Sequence, residues 1–320
     1  MRQETPAGLY VHLPFCASRC SYCDFLSGFD PTAIPTYIDA VLQEAKLALE
    51  TSSIWNQTIF DTIYLGGGTP SWLGASHLVK LIDGLRLRLP LNENCECPYQ
   101  CNQSDIAPDL LDALESSGVN RISLGVQSFV DKELRILGRR HDGSTARIAL
   151  SMIRDHPARF LTSLDLMHNV PDQTLDSLNL SIEATLRFKP EHLSCYALTL
   201  IPGTPLAKWV APRYRFESKG ENDKIPDDSD SSLLHYQHVE NRLEEAGFEH
   251  YEVSNYAKFN KRSRHNQKYW NRTRVLALGC GAHGFDGHLR YQNHRNLDDY
   301  LEDLRENRLP HSETESIDAV

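Results

Sequence analysis

The chain of 320 residues carries 33 Lys and Arg against 43 Asp and Glu, a formal net charge of −10, and this acidic balance disfavours a chain-wide nucleic-acid surface. Hydrophobic residues make up 40% and charged residues 24% of the chain, which excludes disorder over most of its length. No apolar run approaches the roughly 20 residues of a membrane helix and the first residues do not form a secretion signal, so we expect a cytoplasmic protein without a transmembrane segment.

Short apolar runs alternate with helical periods over the first two hundred residues. The predicted strands are residues 9–13, 62–65, 96–101, 121–126, 164–167 and 193–198. Apolar residues repeat at helical spacing over residues 38–49, 110–114 and 175–186, and Pro108 and Gly118 mark the two ends of the second of these helices. This alternation predicts a parallel sheet with crossover helices. Six such units indicate an incomplete α/β barrel, which carries its chemistry at the carboxyl ends of the strands.

The second part of the chain has a different composition and does not continue the alternation of strands and helices. Residues 217–232 are polar and predict a surface loop, and a helix with Tyr236, Val239 and Leu243 on one face follows. Residues 258–274 then carry seven Lys and Arg and no acid, a local basic segment in an acidic chain. We therefore predict two parts, a partial barrel over residues 1–205 and an α+β extension over residues 206–320.

Three of the eight cysteines are spaced CxxxCxxC directly after the first predicted strand, as Cys16, Cys20 and Cys23. Three thiolates on one short loop can hold three irons of a [4Fe–4S] cluster and leave the fourth iron open. Zinc is the alternative metal, but it usually takes paired CxxC knuckles and a fourth ligand nearby. The other five cysteines are expected to be reduced; Cys95, Cys97 and Cys101 could suggest a second metal, but cysteines spaced on one strand are more often packing residues.

A glycine-rich loop, residues 66–71 with the sequence GGGTPS, follows the second predicted strand. Glycines let the backbone approach a ligand closely and expose its N–H and C=O groups. The loop is not a phosphate-binding P-loop, because the Gly-Lys-Ser ending is absent. Taken alone, it could equally be a simple turn.

Together, these two motifs resemble those of radical S-adenosylmethionine proteins. The flanking sequences YVHLPFC, YCDF, GVNRISLGVQSF, SCYALTLIPGTPL and HNQKYW are similar to the oxygen-independent coproporphyrinogen III oxidase family, and within it to the heme chaperone branch. The resemblance covers nearly the whole chain. Relatives continue into a small C-terminal helical domain, which we expect to be missing here.

The resemblance implies that Cys16, Cys20 and Cys23 bind a [4Fe–4S] cluster whose open iron chelates S-adenosylmethionine. It places around this cofactor a further set of residues, which are Tyr10, Tyr22, Gly67, Gly68, Thr69, Gln100, Gln127, Arg139, Asp165 and Ala197. Without the resemblance, Gln127 would be interpreted as a buried hydrogen-bonding residue, Arg139 as half of a surface ion pair and Asp165 as a strand-end cap.

The third predicted strand departs from the family pattern. Relatives carry a Glu there, and an ungapped alignment puts Gln100 at that position. A neutral amide would then meet the ammonium group of the cofactor. An alignment shifted by four residues would instead supply the carboxylate of Glu96.

Two further features bear on function. Dehydrogenases of this family carry another cysteine two residues after the third cluster cysteine, where this chain has Phe25. The HNQKYW motif offers His265 as a candidate axial ligand for heme iron. Tyr269 and Trp270 could pack on the porphyrin, and Arg264 or Lys268 could pair with its propionates. The alternative is a surface loop anchored by the Tyr-Trp pair.

Three functional hypotheses follow. The leading one is a heme chaperone that passes heme to an acceptor protein and receives electrons from a donor, with both proteins unidentified. The second is a coproporphyrinogen III dehydrogenase, so the sequence leaves open whether the chain is an enzyme. The third, an RNA-modifying radical enzyme, has only the basic segment in its favour, and we expect no nucleic-acid partner.

Overall fold

The structure is a computed structural model that describes residues 5–28, 30–212 and 229–317. Within these residues the chain forms a single sheet of thirteen strands together with eleven α-helices. The strands are β1 (Ala7–Leu13), β2 (Phe60–Gly67), β3 (Leu91–Glu96), β4 (Pro98–Cys101), β5 (Arg121–Gln127), β6 (Leu161–His168), β7 (His192–Ala197), β8 (Glu249–Glu252), β9 (Asn255–Ala257), β10 (Val275–Leu278), β11 (His283–Phe285), β12 (Leu289–Asn293) and β13 (His311–Ser316).

The helices lie mostly in the crossovers between strands. They are α1 (Ile34–Thr51), α2 (Ser53–Asn56), α3 (Ala75–Arg88), α4 (Pro108–Ser116), α5 (Asp131–Ile136), α6 (Gly143–Asp155), α7 (Leu175–Leu186), α8 (Pro205–Val210), α9 (Ser229–Glu245), α10 (Arg264–Trp270) and α11 (Leu297–Arg305). None of these helices is long and apolar enough to cross a membrane.

The centre of the sheet is parallel, in the order β10-β1-β2-β4-β5-β6-β7, and β3 adds a further parallel pairing to β2. The predicted parallel α/β architecture is confirmed. The strand order is open, because antiparallel strands continue it beyond β7 and β10 without closing a ring. The predicted incomplete barrel is therefore what the structure shows.

One predicted strand is wrong in detail, because residues 96–101 are divided between β3 and β4 at Cys97. The side chain of Asn120 accepts a hydrogen bond from the Cys97 N–H and donates one to the Cys95 carbonyl. Pro98, the next residue, has no N–H to offer a neighbouring strand. The side-chain bonds and the proline together interrupt the ladder at this point.

The last third of the chain extends both edges of the same sheet. β9 and β8 add antiparallel strands beyond β7, while β10 pairs in parallel with β1 and leads into the antiparallel strands β11, β12 and β13. The sheet is thus continuous across the predicted boundary at residue 205. Most of the predicted loop 217–232 lies outside the described residues, but its last four residues are wrong as a loop, because α9 begins at Ser229.

Helix boundaries follow local chemistry. Pro108 occupies the first turn of α4, and Gly118 adopts a φ of +73° just after its end. Thr174 and Ser177 form a reciprocal capping box at the start of α7. Alternate residues of β1 such as Leu9 and Val11 are fully buried in the core that includes α1, which leaves the opposite face of the strands to line the barrel interior.

Candidate cofactor site

The interior of the partial barrel contains a cavity of about 510 Å³. It extends from the carboxyl ends of the strands, where residues 14–28 (the cluster loop) follow β1, to the amino ends of β5 and β7. The thirteen residues predicted to hold the cluster and S-adenosylmethionine all line it, namely Tyr10, Cys16, Cys20, Tyr22, Cys23, Gly67, Gly68, Thr69, Gln100, Gln127, Arg139, Asp165 and Ala197. The structure thus brings distant motifs to one place, and the role of each residue there remains a prediction.

The three motif cysteines lie together on the cluster loop as partly exposed free thiols. The Cys23 N–H donates to the Cys20 carbonyl at 3.3 Å, which closes a tight turn between them. The Cys16 Sγ lies 3.2 Å from the Thr69 Oγ1. Burial raises the pKa of the Cys23 thiol, although a backbone N–H from Phe25 opposes the shift. Three thiols on one loop form a donor set suited to iron–sulfur ligation.

The glycine-rich loop packs directly against the cluster loop. The Gly68 N–H donates to the Leu13 carbonyl at 2.9 Å, and the Thr69 N–H donates to the Phe15 carbonyl at 2.7 Å. A Cβ atom at Gly68 would lie 2.6 Å from the Phe15 carbonyl oxygen and 2.9 Å from that of Leu13. Because both neighbours are backbone atoms, only glycine fits here, and this contact sets the position of the cluster loop.

Two cations of the cavity wall donate hydrogen bonds to motif cysteines, Arg19 to the Cys23 carbonyl at 2.9 Å and Arg139 to a thiol sulfur. The Arg139 Nη1 donates to the Cys20 Sγ at 3.3 Å, and its Nη2 donates to the Gly125 carbonyl at 2.7 Å. Donation to a sulfur stabilises its thiolate form. The guanidinium therefore supports a negatively charged ligand set on the loop.

Four residues of the cavity wall each have a buried polar atom without a hydrogen-bond partner among the described residues. These atoms are the Arg139 Nε and the Gln127 Oε1, together with the Arg121 Nε and the His192 Nδ1 at the amino ends of the strands. Gln127 also has a φ of +66°, the left-handed region that is unfavourable for a residue with a side chain. Buried polar atoms are normally satisfied. Together with the three thiols, these atoms fit a polar ligand held beside an iron–sulfur cluster.

Asp165 lies on β6, opposite Ser194 of β7 in the register. Burial raises the pKa of its carboxyl group to about 7, against the opposing effects of a Ser194 hydrogen bond and of the Arg139 charge. The effect of burial therefore outweighs that of the Arg139 charge on this carboxyl group. A hydroxyl or ammonium group of a bound ligand would supply a donor to it.

The two alignments of the third predicted strand differ in which residue reaches the cavity. Gln100 lies on β4 opposite Ser123 of β5, and both line the cavity. Glu96 ends β3, is 6% exposed and forms a buried ion pair with Arg121, with 3.2 Å between Oε2 and Nη2. The geometry therefore agrees with the ungapped alignment, in which an amide faces the cofactor.

His265 is the one predicted site residue that does not line the cavity. It is 1% exposed, and its Nδ1 lies 2.9 Å from the Thr62 Oγ1 while its Nε2 lies 3.0 Å from the Tyr269 hydroxyl. Burial lowers the pKa of the imidazole to about 3. Both ring nitrogens are engaged, so iron ligation by His265 stays a prediction that would require one of these two hydrogen bonds to break.

Several residues in the cavity wall were not identified from the sequence. They include Arg121 and His192 at the amino ends of β5 and β7, and Ser263 and Asn266 from the extension. Arg121 and His192 sit among strand residues, where a charged side chain can only be recognised as inward-facing once the register is known. Asn266 lies inside the HNQKYW motif, whose sequence did signal a functional segment.

Comparisons with known proteins identify the family. Residues 10–183 match the model of the Radical SAM superfamily. The chain is 34% identical over 288 residues to the heme chaperone HemW of Haemophilus influenzae, covering 89% of this chain and 71% of that protein. It is 33% identical over 310 residues to the heme chaperone HemW of Bacillus subtilis, covering 96% and 78%.

The chain belongs to the HemW family of radical SAM proteins. This confirms the resemblance identified from the motifs. The structure also superimposes on the coproporphyrinogen III oxidase HemN of Escherichia coli with a TM-score of 0.82 and 22% identity, covering 98% of this chain and 73% of that one. At this identity the likeness concerns the fold, which the two proteins share.

Proposed function

We propose that this protein is a heme chaperone that binds heme and transfers it to an acceptor protein. The observation that carries the proposal is the relationship to proteins named heme chaperone HemW, at 33–34% identity over most of both chains. Phe25 supports the proposal further. The coproporphyrinogen III dehydrogenases carry a fourth cysteine at this position, and this chain has a phenylalanine instead.

The proposed cofactors are a [4Fe–4S] cluster and S-adenosylmethionine, which together supply one-electron chemistry when bound. Cys16, Cys20 and Cys23 would hold the cluster, and Arg139 would stabilise the charge on Cys20. The other cavity residues listed above would hold S-adenosylmethionine. The glycine-rich loop, which lines the cavity beside the cluster loop, would contact its methionyl end, and Ala197 at the end of β7 would contact its adenine.

Two partners and a compartment belong to this proposal. Reduction of the cluster requires an electron donor, and a chaperone requires an acceptor. All eight cysteines are free in the structure, which is typical of a reducing compartment such as the cytoplasm.

The test is titration of the anaerobically reconstituted protein with hemin, followed by absorbance, and then mixing of the loaded protein with an apo-hemoprotein. Saturable heme binding and transfer at one heme per chain are expected. Absence of saturable binding would refute the proposal. Decarboxylation of coproporphyrinogen III, measured by chromatography of porphyrin products, would instead establish the dehydrogenase.

A further inference from the structure

The HNQKYW motif lies at the amino ends of the barrel strands, opposite the cluster loop. α10 carries it and packs on the first residues of β1 and β2. A Cβ atom at Gly8 of β1 would lie 2.8 Å from the Lys268 Cδ and 3.2 Å from the His265 Cε1. Thr62 of β2 holds the other side of the imidazole through the 2.9 Å contact to Nδ1. His265 and Lys268 of the motif are therefore buried in the barrel interior below the cavity.

The residues just before the motif are held in the same place by a buried ion pair. The Arg121 Nη2 donates to the carbonyls of Lys261 and Arg262 at 3.1 and 3.4 Å. The Glu96 Oε1 accepts from the Arg264 N–H at 3.1 Å. Arg121 and Glu96 are in turn paired with each other. Residues 261–270, the floor segment, are thus anchored to strands β3 and β5 as well as to β1 and β2.

The imidazole of His265 supports two tyrosines of the cavity wall. Its ring centroid lies 5.1 Å from that of Tyr64 and 6.3 Å from that of Tyr10. Tyr10 and Tyr64 both line the cavity, and their rings stack on each other. Thr62 and Tyr269 engage both ring nitrogens, so the imidazole has a fixed orientation. Its contacts in turn fix the orientation of the Tyr10 and Tyr64 rings.

Adjacent residues of α10 face different spaces. Asn266 lines the barrel cavity, and so does Ser263 just before the helix. Gln267 instead lines a separate, open depression on the other side of the helix, next to Arg262. One turn of helix therefore separates the cofactor cavity from solvent.

The cations of the floor segment are largely balanced by acids from other elements. Arg262 pairs with Glu249, while Arg264 and Lys268 both pair with Asp61, at 2.9 and 2.6 Å. The segment therefore presents little free positive charge to a dianionic macrocycle. Its charges instead tie it to the body of the barrel.

We propose that the floor segment closes the cofactor cavity, with His265 as a positioning residue for Tyr10 and Tyr64 and with Asn266 as a contact of bound S-adenosylmethionine, directly or through one water. This rests on the proposed cofactor site, but it separates the HNQKYW motif from heme ligation. It predicts that changes at His265 and Asn266 alter S-adenosylmethionine binding and leave the heme spectrum unchanged.

The first test compares His265→Gln and His265→Asn with the parent in the reconstituted full chain. Neither variant has an imidazole, but the Gln amide can reach the Tyr269 hydroxyl and the shorter Asn amide can reach only Thr62. S-adenosylmethionine binding, followed by the change it causes in the EPR spectrum of the reduced cluster, is expected to weaken about five-fold in His265→Asn, the equivalent of one lost neutral hydrogen bond. His265→Gln should recover part of this loss. The hemin absorption band should match the parent in both variants.

The second test compares two alanine variants of adjacent residues on α10. It remains informative if the His265 variants fail to fold. Asn266→Ala should weaken S-adenosylmethionine binding about five-fold, while Gln267→Ala should leave it unchanged.

A shifted heme band in both His265 variants with unchanged S-adenosylmethionine affinity would overturn the proposal, and so would equal affinities of the Asn266 and Gln267 variants. If the parent itself binds no heme, the heme chaperone function fails, but the S-adenosylmethionine measurements still decide the role of the floor segment.

Discussion

Arg139 donates a hydrogen bond to the sulfur of Cys20 at 3.3 Å, and the same guanidinium is held at its other end by the Gly125 carbonyl. The cation is thus fixed between the cluster loop and the carboxyl end of β5. A hydrogen bond to a ligating sulfur stabilises the more negative, reduced form of a cluster more than the oxidised form, so its loss makes reduction harder.

We therefore expect Arg139→Gln to lower the midpoint potential of the reconstituted cluster by on the order of 40 mV, about 1 kcal/mol for one electron. A redox titration followed by EPR measures it. Arg140→Gln is the matched control, because that neighbouring guanidinium lies over the Trp72 ring and not on a motif cysteine. Equal potentials in the two variants would contradict the assignment of Arg139.

The three motif cysteines should account for the whole cluster. Replacing Cys16, Cys20 and Cys23 by Ala should abolish the iron and sulfide content and the reduced-state EPR signal, since these three are the partly exposed thiols and the other five cysteines are buried. The control replaces Cys95, Cys97 and Cys101, which are buried. Iron and sulfide analysis should show a nearly intact cluster in the control, and a full cluster in the first variant would refute the site.

Gln100 should limit the affinity for S-adenosylmethionine. Gln100→Glu is expected to tighten binding about five-fold, because a charge-assisted hydrogen bond to the ammonium group is stronger than a neutral one by about 1 kcal/mol. Anaerobic calorimetry at low and high salt measures the gain, which should shrink as salt increases.

The Glu96→Gln variant tests the shifted alignment by the same measurement of S-adenosylmethionine affinity. Glu96→Gln leaves Arg121 with an uncompensated buried charge, so it should lower the unfolding temperature while leaving the affinity of the remaining folded protein near the parent value. A large loss of affinity in Glu96→Gln with no gain in Gln100→Glu would show that the shifted alignment is right.

Gly68 should tolerate no side chain. Gly68→Ala places a methyl group against the Phe15 and Leu13 carbonyls, so we expect displacement of the cluster loop, a loss of roughly 1–3 kcal/mol in the free energy of unfolding and a reduced cluster content. Gly74→Ala is the control, because Gly74 has a φ of +76° but open space around it, which costs roughly 1–2 kcal/mol of backbone strain alone. Iron content should separate the two variants; if both retain a full cluster, the contact at Gly68 does not position the loop.

Glu44 of α1 should make stability depend on pH. It is fully buried, and it accepts hydrogen bonds from the Gly279 N–H, the Tyr300 hydroxyl and the Asn293 amide. Burial raises the pKa of its carboxyl group from 4.5 to about 7 despite these donors. Because the folded value is the higher one, the contribution of this group to stability is fully present below about pH 4.5 and is lost as the pH increases through about 7.

Glu44→Gln removes this titration. Between about pH 5 and about pH 8, the stability of the variant relative to the parent should therefore increase, by on the order of 2 kcal/mol. Urea unfolding of both proteins at each pH measures the difference. A constant difference across this range would show that Glu44 does not titrate in the folded protein.

Local spacing explains which parts of this molecule could be predicted from sequence. Cys16, Cys20 and Cys23 lie within one loop, so their chemistry can be inferred without knowing the fold. The apolar residues predicted at helical spacing over residues 175–186 lie in α7, because this period is a local property of the sequence.

Long-range pairing explains what could not be predicted. β10 has only four residues and pairs with β1 at the other end of the chain, so nothing in its own sequence marks it as a central strand. The basic segment gave the impression of a free cationic surface because its acidic partners, Asp61 and Glu249, come from other elements. Charge balance of this kind depends on the folded neighbourhood, and a linear pattern does not contain it.

The position of β10 has a consequence for the order in which the protein can mature. β1, which leads into the cluster loop, lies between β2 and β10 in the sheet. During synthesis β1 can pair with β2 early, but its other edge stays open until residues 275–278 have left the ribosome. The floor segment, residues 261–270, also arrives only shortly before. A stable place for the metal centre therefore exists only late in translation, and iron loading should follow synthesis instead of accompanying it.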